Sequence, residues 1–173
     1  LGIGVGWLEE EFDAIGVPFR ERGARTDEYV AAMRALWAED RASFAGRFTG
    51  FTDCIQRPQP TRGGVPIHVG GHSEAAARRA GRLGDGFFPG KGNHEELARL
   101  IGIARESAVE HGRDPDAIQV TAGSGGIFGP DALDEVKRMA DLGVHRLVVP
   151  SVLYFSDTAD ALARFGDTII AKA

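Results

Sequence analysis

The sequence predicts an α/β protein in which parallel strands alternate with helices. Short apolar runs typical of strands begin near residues 2, 66, 86, 118 and 145. Segments with apolar residues at helical spacing separate these runs. The last four strands lie roughly 20 to 32 residues apart, which is typical of βα units in a parallel sheet. Turn-forming residues follow the strands, so we expect five parallel strands with helices between them.

The first third of the chain combines a strand, two helices and an irregular excursion. The strand at residues 2–6 is followed by three glutamates, which suit the positive end of a helix. Thr26 is the predicted N-cap of the next helix, whose apolar stripe we interpret as core packing. Phenylalanines separated by glycines predict a small hairpin or irregular excursion at residues 43–53, and the prolines at residues 56–64 predict a loop.

A glycine turn connects the second predicted strand to its helix. Ile67 and Val69 suit a buried strand. Gly70 and Gly71 permit positive φ and a close approach of the backbone, and Ser73 is a suitable helix N-cap. Such a turn presents free N–H groups and the positive end of the helix dipole to an anion, typically a phosphate. A plain strand-to-helix corner is the alternative interpretation of the same residues.

The three remaining strands are each followed by a helix as well. Asn93 caps one of these helices, with Glu96 at the capping-box position. The predicted strands lie at residues 85–89, 118–122 and 146–150, and the predicted helices at residues 93–110, 131–142 and from 157 onward. In a parallel sheet the ligand binds at the carboxyl ends of the strands. The segments expected to gather there are Gly70-Gly71, Pro89-Gly90, Gly123-Ser124 and Pro150-Ser151.

The composition favours one cytoplasmic domain and argues against two classes of partner. The 173 residues, 43% of them hydrophobic, suffice for a single core. A net charge of −5 and a pI near 5.5 argue against nucleic acid or an anionic membrane as the partner. No apolar run approaches the roughly 20 residues of a membrane span. Cys54 is the only cysteine, which excludes a disulfide framework and a thiolate metal cluster and fits a reducing compartment.

Other local patterns give weaker signals. The glycines at positions 2, 4 and 6 resemble a dinucleotide fingerprint, but their spacing is one residue short. Lys91 lies between two glycines after a strand end and is a candidate for an anion contact, with a solvated loop lysine as the alternative. His72 on the turn is a better candidate for a ligand contact than His68, which lies within the strand. The catalytic residues stay unassigned, because no dyad or triad is visible.

A set of longer motifs follows in one order along the chain. They are Gly4-Val5-Gly6-Trp7-Leu8-x-x-Glu11-Phe12, Arg22-Gly23-x-Arg25-x-Asp27-Glu28, Leu36-Trp37, Phe44-x-Gly46-x-Phe48, Pro66-Ile67-His68-Val69-Gly70-Gly71-His72-Ser73 and Asp85-Gly86-Phe87. Together they resemble the luciferase-like monooxygenase family, and within it the bacterial oxidoreductases that use the 8-hydroxy-5-deazaflavin coenzyme F420. The resemblance covers essentially the whole chain.

The resemblance implies a (β/α)8 barrel with the ring of a flavin-type cofactor at its carboxyl-terminal mouth. The cofactor-binding residues that it implies are Gly6 and Trp7 on the ring side, and Gly70, Gly71, His72 and Ser73 at the phosphate tail. Coenzyme F420 would carry a hydride to or from an organic substrate. An FMN-dependent monooxygenase of the same family and a non-catalytic α/β ligand-binding fragment are the alternatives.

The resemblance also predicts an incomplete barrel. Its first motif corresponds to the family's fourth strand, so residues 1–173 are expected to form a single, N-terminally truncated barrel domain with about strands four to eight. Open strand edges would then favour low stability and a homo-oligomer. Trp7 stands where the family's sugar-phosphate dehydrogenases carry an acid. A different substrate is therefore expected, and the proton donor is unassigned.

Overall fold

The computed structural model describes residues 1–90, 93–150 and 157–173. Two compact units make up the chain, Leu1–Ile67 and His68–Ala173. Lys91 and Ser151, which the sequence places at the ligand edge, lie outside the described residues. No helix in the described ranges combines the length and the apolar character needed to cross a membrane.

The first unit contains three strands and two helices. They are β1 (Gly2–Ile3), α1 (Glu9–Ala14), α2 (Arg22–Ala38), β2 (Ala42–Ala45) and β3 (Gly50–Cys54). The prediction that Thr26 caps α2 is wrong, because the helix begins one turn earlier. The Thr26 hydroxyl donates to the carbonyl of Arg22 at 2.8 Å, inside the helix. The start of α2 is instead supported by an ion pair between Glu21 and Arg25 at 2.9 Å.

The hairpin predicted at residues 43–53 is present, and a carboxylate from α2 holds its turn. Strands β2 and β3 pair antiparallel, with Phe44 opposite Phe51. Glu28 accepts hydrogen bonds from the backbone N–H groups of Arg47 at 2.8 Å, Phe48 at 2.6 Å and Thr49 at 2.8 Å. A carboxylate is well suited to this role because it offers acceptors only. Glu28 therefore satisfies the turn's N–H groups and fixes the hairpin on α2.

Neutralising Glu28 is expected to lower the thermal stability of the chain in a pH-dependent way. Desolvation alone raises the pKa of Glu28, but the hydrogen bonds from Phe48, Thr49 and Arg47 outweigh it and hold the pKa below its ordinary value of 4.5. The charged form is thus favoured by folding, and its contribution is present above pH 4.5 and lost as the pH falls through the folded-state pKa. Glu28→Gln should unfold at a lower temperature than the wild type at pH 7.

Circular dichroism melts between pH 7 and pH 3 measure this effect. The difference in Tm between Glu28→Gln and the wild type should shrink below pH 4.5, where the wild-type carboxyl becomes protonated. Glu39→Gln, an exposed neutralisation at the C-terminal end of α2, is the matched control and should leave the Tm nearly unchanged. A difference of constant size across the pH range would contradict this account of Glu28.

The second unit is a parallel sheet with a helix after each strand. Its strands are β4 (His68–Gly70), β5 (Gly86–Phe88), β6 (Gln119–Gly123) and β7 (Arg146–Val148), and its helices are α3 (Glu74–Leu83), α4 (His94–Glu110), α5 (Ala132–Asp141) and α6 (Thr158–Thr168). The sheet order is β4-β5-β6-β7, and every neighbouring pair is parallel. The predicted parallel βα arrangement is therefore confirmed in this unit.

One face of this sheet forms the core of the second unit with the helices. The cluster of buried apolar residues comprises Leu97, Ile101, Val120, Ala122, Met139 and Val144. Successive residues of a strand point to opposite faces. The residues of β6 and β7 that alternate with the core positions, Thr121 and Arg146, therefore lie on the other face. There the guanidinium of Arg146 donates to the Thr121 hydroxyl at 3.2 Å.

Candidate functional site

The turn at residues 70–73, which the sequence predicts for ligand binding, lies at the carboxyl end of β4 in the parallel sheet. Helices α3, α4 and α5 begin near this edge, because each follows its strand through a short connection. The Gly71 N–H donates to the carbonyl of Phe88 at 3.0 Å, which continues the β4–β5 ladder by one residue. The turn at residues 70–73 is therefore anchored to the neighbouring strand.

Gly71 has a conformation that a side chain would disturb. Its φ is +137°, a region in which residues other than glycine are rare. A Cβ atom placed on Gly71 would lie 2.9 Å from the Cβ of Ala76, in the first turn of α3. Glycine here lets the backbone lie close against the helix N-terminus. This is the local geometry that the sequence predicts for a phosphate-binding turn.

Ser73 is the N-cap of α3, as the sequence predicts. Its hydroxyl accepts from the N–H of Ala76 at 3.3 Å, and its backbone is extended at φ −114° and ψ 157°. The first N–H groups of the helix lie at its positive end and have no acceptor within the helix. Glu74, whose charge would oppose an anion here, forms an ion pair with Arg99 of α4 at 2.5 Å. The turn thus offers N–H donors to an anion, and Arg99 offsets the negative charge of Glu74 beside it.

The two histidines occupy different environments. His72 is exposed on the turn, where a ligand can reach it. His68 is half-buried in β4, and its ring lies over Gly86, where no side chain competes for the space. Burial lowers the pKa of His68, and the positive charge of Arg146 lowers it further. A neutral imidazole is therefore favoured at His68, which is consistent with its interpretation as a strand histidine.

The residues assigned to the ring side belong to the first unit. Gly6 has a φ of +82°, and a Cβ atom placed there would lie 2.7 Å from the ring of Phe12. Trp7 is 83% exposed. Their contact with a cofactor ring stays a prediction, as does the anion contact of Lys91.

A buried carboxylate that sequence reasoning missed lies at the same strand ends as the glycine turn. Glu135 of α5 has only 4% of its side chain exposed. Its Oε1 accepts from the hydroxyl of Ser124, after β6, and lies 2.8 Å from Nε2 of His94, the first residue of α4. Its Oε2 lies 3.4 Å from Nε of Arg138. We call Ser124, Glu135 and His94 the Glu135 cluster.

Hydrogen bonds keep Glu135 ionised. Burial raises the pKa of this carboxyl, but the hydrogen bonds from Ser124 and His94 and the nearby charges outweigh burial and lower the pKa. The three residues are far apart in the sequence, so no local motif reveals them. The available signal was helical spacing, because Glu135 shares the buried face of α5 with Ala132 and Met139. A charged residue in such a stripe indicates a specific partner.

Two further observations concern metal sites in the described residues and a cavity in the second unit. Within the described ranges, no group of three or more His, Cys, Asp or Glu side chains is arranged to bind a metal ion. An apolar cavity of about 610 Å³ lies between β7, α5 and α6, and its lining includes Met139, Leu147 and Phe165. None of its lining residues belongs to the turn at residues 70–73.

Comparison with known sequences gives consistent matches. The model of the family described as luciferase-like monooxygenase matches residues 1–165. An uncharacterized protein of Mycobacterium tuberculosis is 35% identical, with coverage of 99% of this chain and 61% of the relative. The F420-dependent glucose-6-phosphate dehydrogenase of Mycolicibacterium gilvum is 36% identical, with coverage of 68% of this chain and 37% of the enzyme. The chain thus spans about three fifths of the first relative's length.

Solved structures share the fold of the chain. An F420-dependent secondary alcohol dehydrogenase in complex with an F420–acetone adduct superposes with a TM-score of 0.78 at 18% identity, over 100% of this chain and 69% of that one. The coenzyme F420-dependent tetrahydromethanopterin reductase of Methanopyrus kandleri gives 0.77 at 16% identity, over 98% and 73%. A riboflavin lyase with modified FMN gives 0.57 at 20% identity, over 76% and 35%. These likenesses confirm the predicted partial barrel of βα units.

Proposed function

Because this chain belongs to the luciferase-like monooxygenase family, we propose that it is an oxidoreductase that binds coenzyme F420. The coenzyme would transfer a hydride to or from a small organic substrate. The single observation that carries the proposal is the turn of Gly70, Gly71, His72 and Ser73, which presents the N-terminus of α3 at the carboxyl ends of parallel strands. Relatives and structural neighbours that depend on coenzyme F420 support the same choice of cofactor.

The chain's own residues would bind and orient the coenzyme. In this proposal the N–H groups at the start of α3 hold the tail phosphate, since phosphates favour helix N-termini. Gly71 allows the phosphate to approach the backbone, and His72 contributes a side chain from the exposed turn. Gly6 and Trp7 are proposed to line the ring side. The resemblance aligns Trp7 with the acid of the family's sugar-phosphate dehydrogenases, so we do not propose a sugar phosphate as the substrate.

FMN is the second candidate cofactor. A solved structure with the same fold contains modified FMN. FMN also carries a phosphate, so the turn at residues 70–73 alone does not distinguish the two coenzymes. An FMN-dependent monooxygenase is therefore the alternative function.

Direct titration of the purified chain tests the proposal. Oxidised coenzyme F420 and FMN are added in separate fluorescence titrations at constant ionic strength. Saturable binding of coenzyme F420, with a lower Kd than that of FMN, is the expected result. Tighter binding of FMN would favour the alternative function. If neither coenzyme binds, the chain is better described as a non-catalytic α/β ligand-binding fragment.

A further inference from the structure

We propose that His94 contacts the ligand of the site described above and that Glu135 is its positioning residue. The inference rests on the proposed function, since it adds residues to the same ligand-binding edge. The buried carboxylate of Glu135 joins the start of α4 to the turn after β6. Both segments follow strands that lie next to each other in the parallel sheet.

The Glu135 cluster is built around one oxygen atom. Oε1 of Glu135 accepts a hydrogen bond from the Ser124 hydroxyl and lies 2.8 Å from Nε2 of His94. The Ser124 hydroxyl also accepts from the N–H of Gly126 at 3.2 Å, which fixes the turn itself. A Cβ atom at Gly126 would lie 2.9 Å from Cγ and Cδ of Glu135. Glycine at that position therefore allows the turn to close over the carboxylate.

A buried carboxylate needs a reason beyond packing. Apolar residues of similar volume often replace buried ionic groups without loss of stability, whereas a charge that loses its partners is costly. Glu135 lies in the stripe of Ala132 and Met139, where an apolar side chain would also be buried. Its charge instead holds the start of α4 and the turn after β6 in one arrangement at the ligand-binding edge. Such support from neighbouring hydrogen bonds is how proteins hold binding side chains in place.

The contact with Glu135 determines which nitrogen of His94 is available. A carboxylate accepts hydrogen bonds only, so Nε2 of His94 carries the hydrogen. Nδ1 is then the nitrogen not engaged by Glu135, and half of the His94 side chain is exposed. In the neutral ring Nδ1 accepts a hydrogen bond, and in the charged ring it donates one. His94 can therefore contact a polar group of the coenzyme through Nδ1, with Glu135 holding the ring.

Three variants of the full chain test the inference through the Kd of coenzyme F420 and the Tm. Glu135→Gln loses the charge that holds both donors, and His94→Ala removes the proposed contact. Both should raise the Kd roughly tenfold, the effect of one displaced charge-assisted hydrogen bond. The control is Glu95→Gln, which removes the same charge from the exposed first turn of α4 and should leave the Kd unchanged. A Kd for His94→Ala equal to that of the wild type would overturn the inference.

Ser124 provides a conservative pair that separates positioning from folding. Ser124→Ala removes a donor to Glu135, while Ser124→Thr keeps the hydroxyl on a backbone that is already extended. We expect Ser124→Ala to weaken coenzyme binding, whereas Ser124→Thr should bind the coenzyme with the wild-type Kd. A purely structural cluster would lower the Tm in Ser124→Ala and leave the Kd unchanged, which contradicts the inference even if Glu135→Gln does not fold.

The same titrations distinguish failure of the proposed function from failure of the role inferred for His94 and Glu135. If the wild-type chain binds coenzyme F420 and none of the cluster variants changes the Kd, only the role of His94 and Glu135 is refuted. If the wild-type chain binds no coenzyme, the proposed function and this inference are both refuted.

Discussion

Replacement of Gly81 by valine is expected to lower the stability of the second unit substantially. Helices α3 and α4 approach each other closely at Gly81. A Cβ atom there would lie 2.8 Å from the backbone nitrogen of Ala108 and 2.8 Å from the Cβ of Ser107, and closer still to the carbonyl of Ala104. Two of these three atoms are backbone of α4, so rotation of a side chain cannot relieve the overlap.

The helices must therefore separate to accept the valine. Overpacking of this kind costs about 3 kcal/mol, which corresponds to a Tm lowered by roughly 6–12 °C in a chain of this size. Separation would also strain the hydrogen bond from the Ser107 hydroxyl to the carbonyl of Arg78, now 3.1 Å long. Circular dichroism melts measure the change.

A second glycine in the same helix pair provides the control. Gly102 of α4 has no atom within 4 Å of the position that a Cβ would occupy, so Gly102→Ala should be neutral or raise stability by about 0.5–1 kcal/mol. Equal Tm values for Gly81→Val and the wild type would show that the two helices pack less closely than the structure indicates.

Elements with a local signal could be predicted from the sequence. Strands β4 to β7 are short apolar runs between turn residues, and the caps Ser73 and Asn93 precede clear helical stripes. Both caps form, because a serine or asparagine side chain reaches the N–H three residues later without help from the rest of the fold. The parallel pairing followed from the helical segments between the strands.

Features that depend on long-range contacts could not be predicted in the same way. Thr26 is a residue type typical of N-caps, but α2 begins one turn earlier, at Arg22. The ion pair between Glu21 and Arg25 supports this earlier start. The Glu135 cluster brings together residues separated by 11 and 41 positions. Hydrogen bonds between such distant positions have no periodic pattern in the sequence. The glycine turn was predictable because its two glycines and its N-cap serine are adjacent in the sequence. Its hydrogen bond to Phe88 and its close fit against Ala76 depend on the fold and carry no such local signal.

Gly71→Val is expected to abolish coenzyme binding. Valine disfavours a φ of +137°, and its Cβ would lie 2.9 Å from the Cβ of Ala76. The turn must therefore move away from the start of α3, where the proposed phosphate contacts lie. A displacement of about 1 Å at such a site can weaken function roughly a hundredfold. Fluorescence titration with coenzyme F420 measures the loss of binding.

The unfavourable backbone conformation of valine at position 71 also lowers the stability of the variant, by about 1–3 kcal/mol. A control must reproduce this cost away from the ligand edge. Gly112 has a φ of +67° and no atom within 4 Å of its Cβ position, and it follows the C-terminal end of α4, at the opposite edge of the sheet. Gly112→Val should therefore lower the Tm but keep the wild-type Kd. If Gly71→Val retains the wild-type Kd as well, the phosphate end of the coenzyme does not bind at this turn.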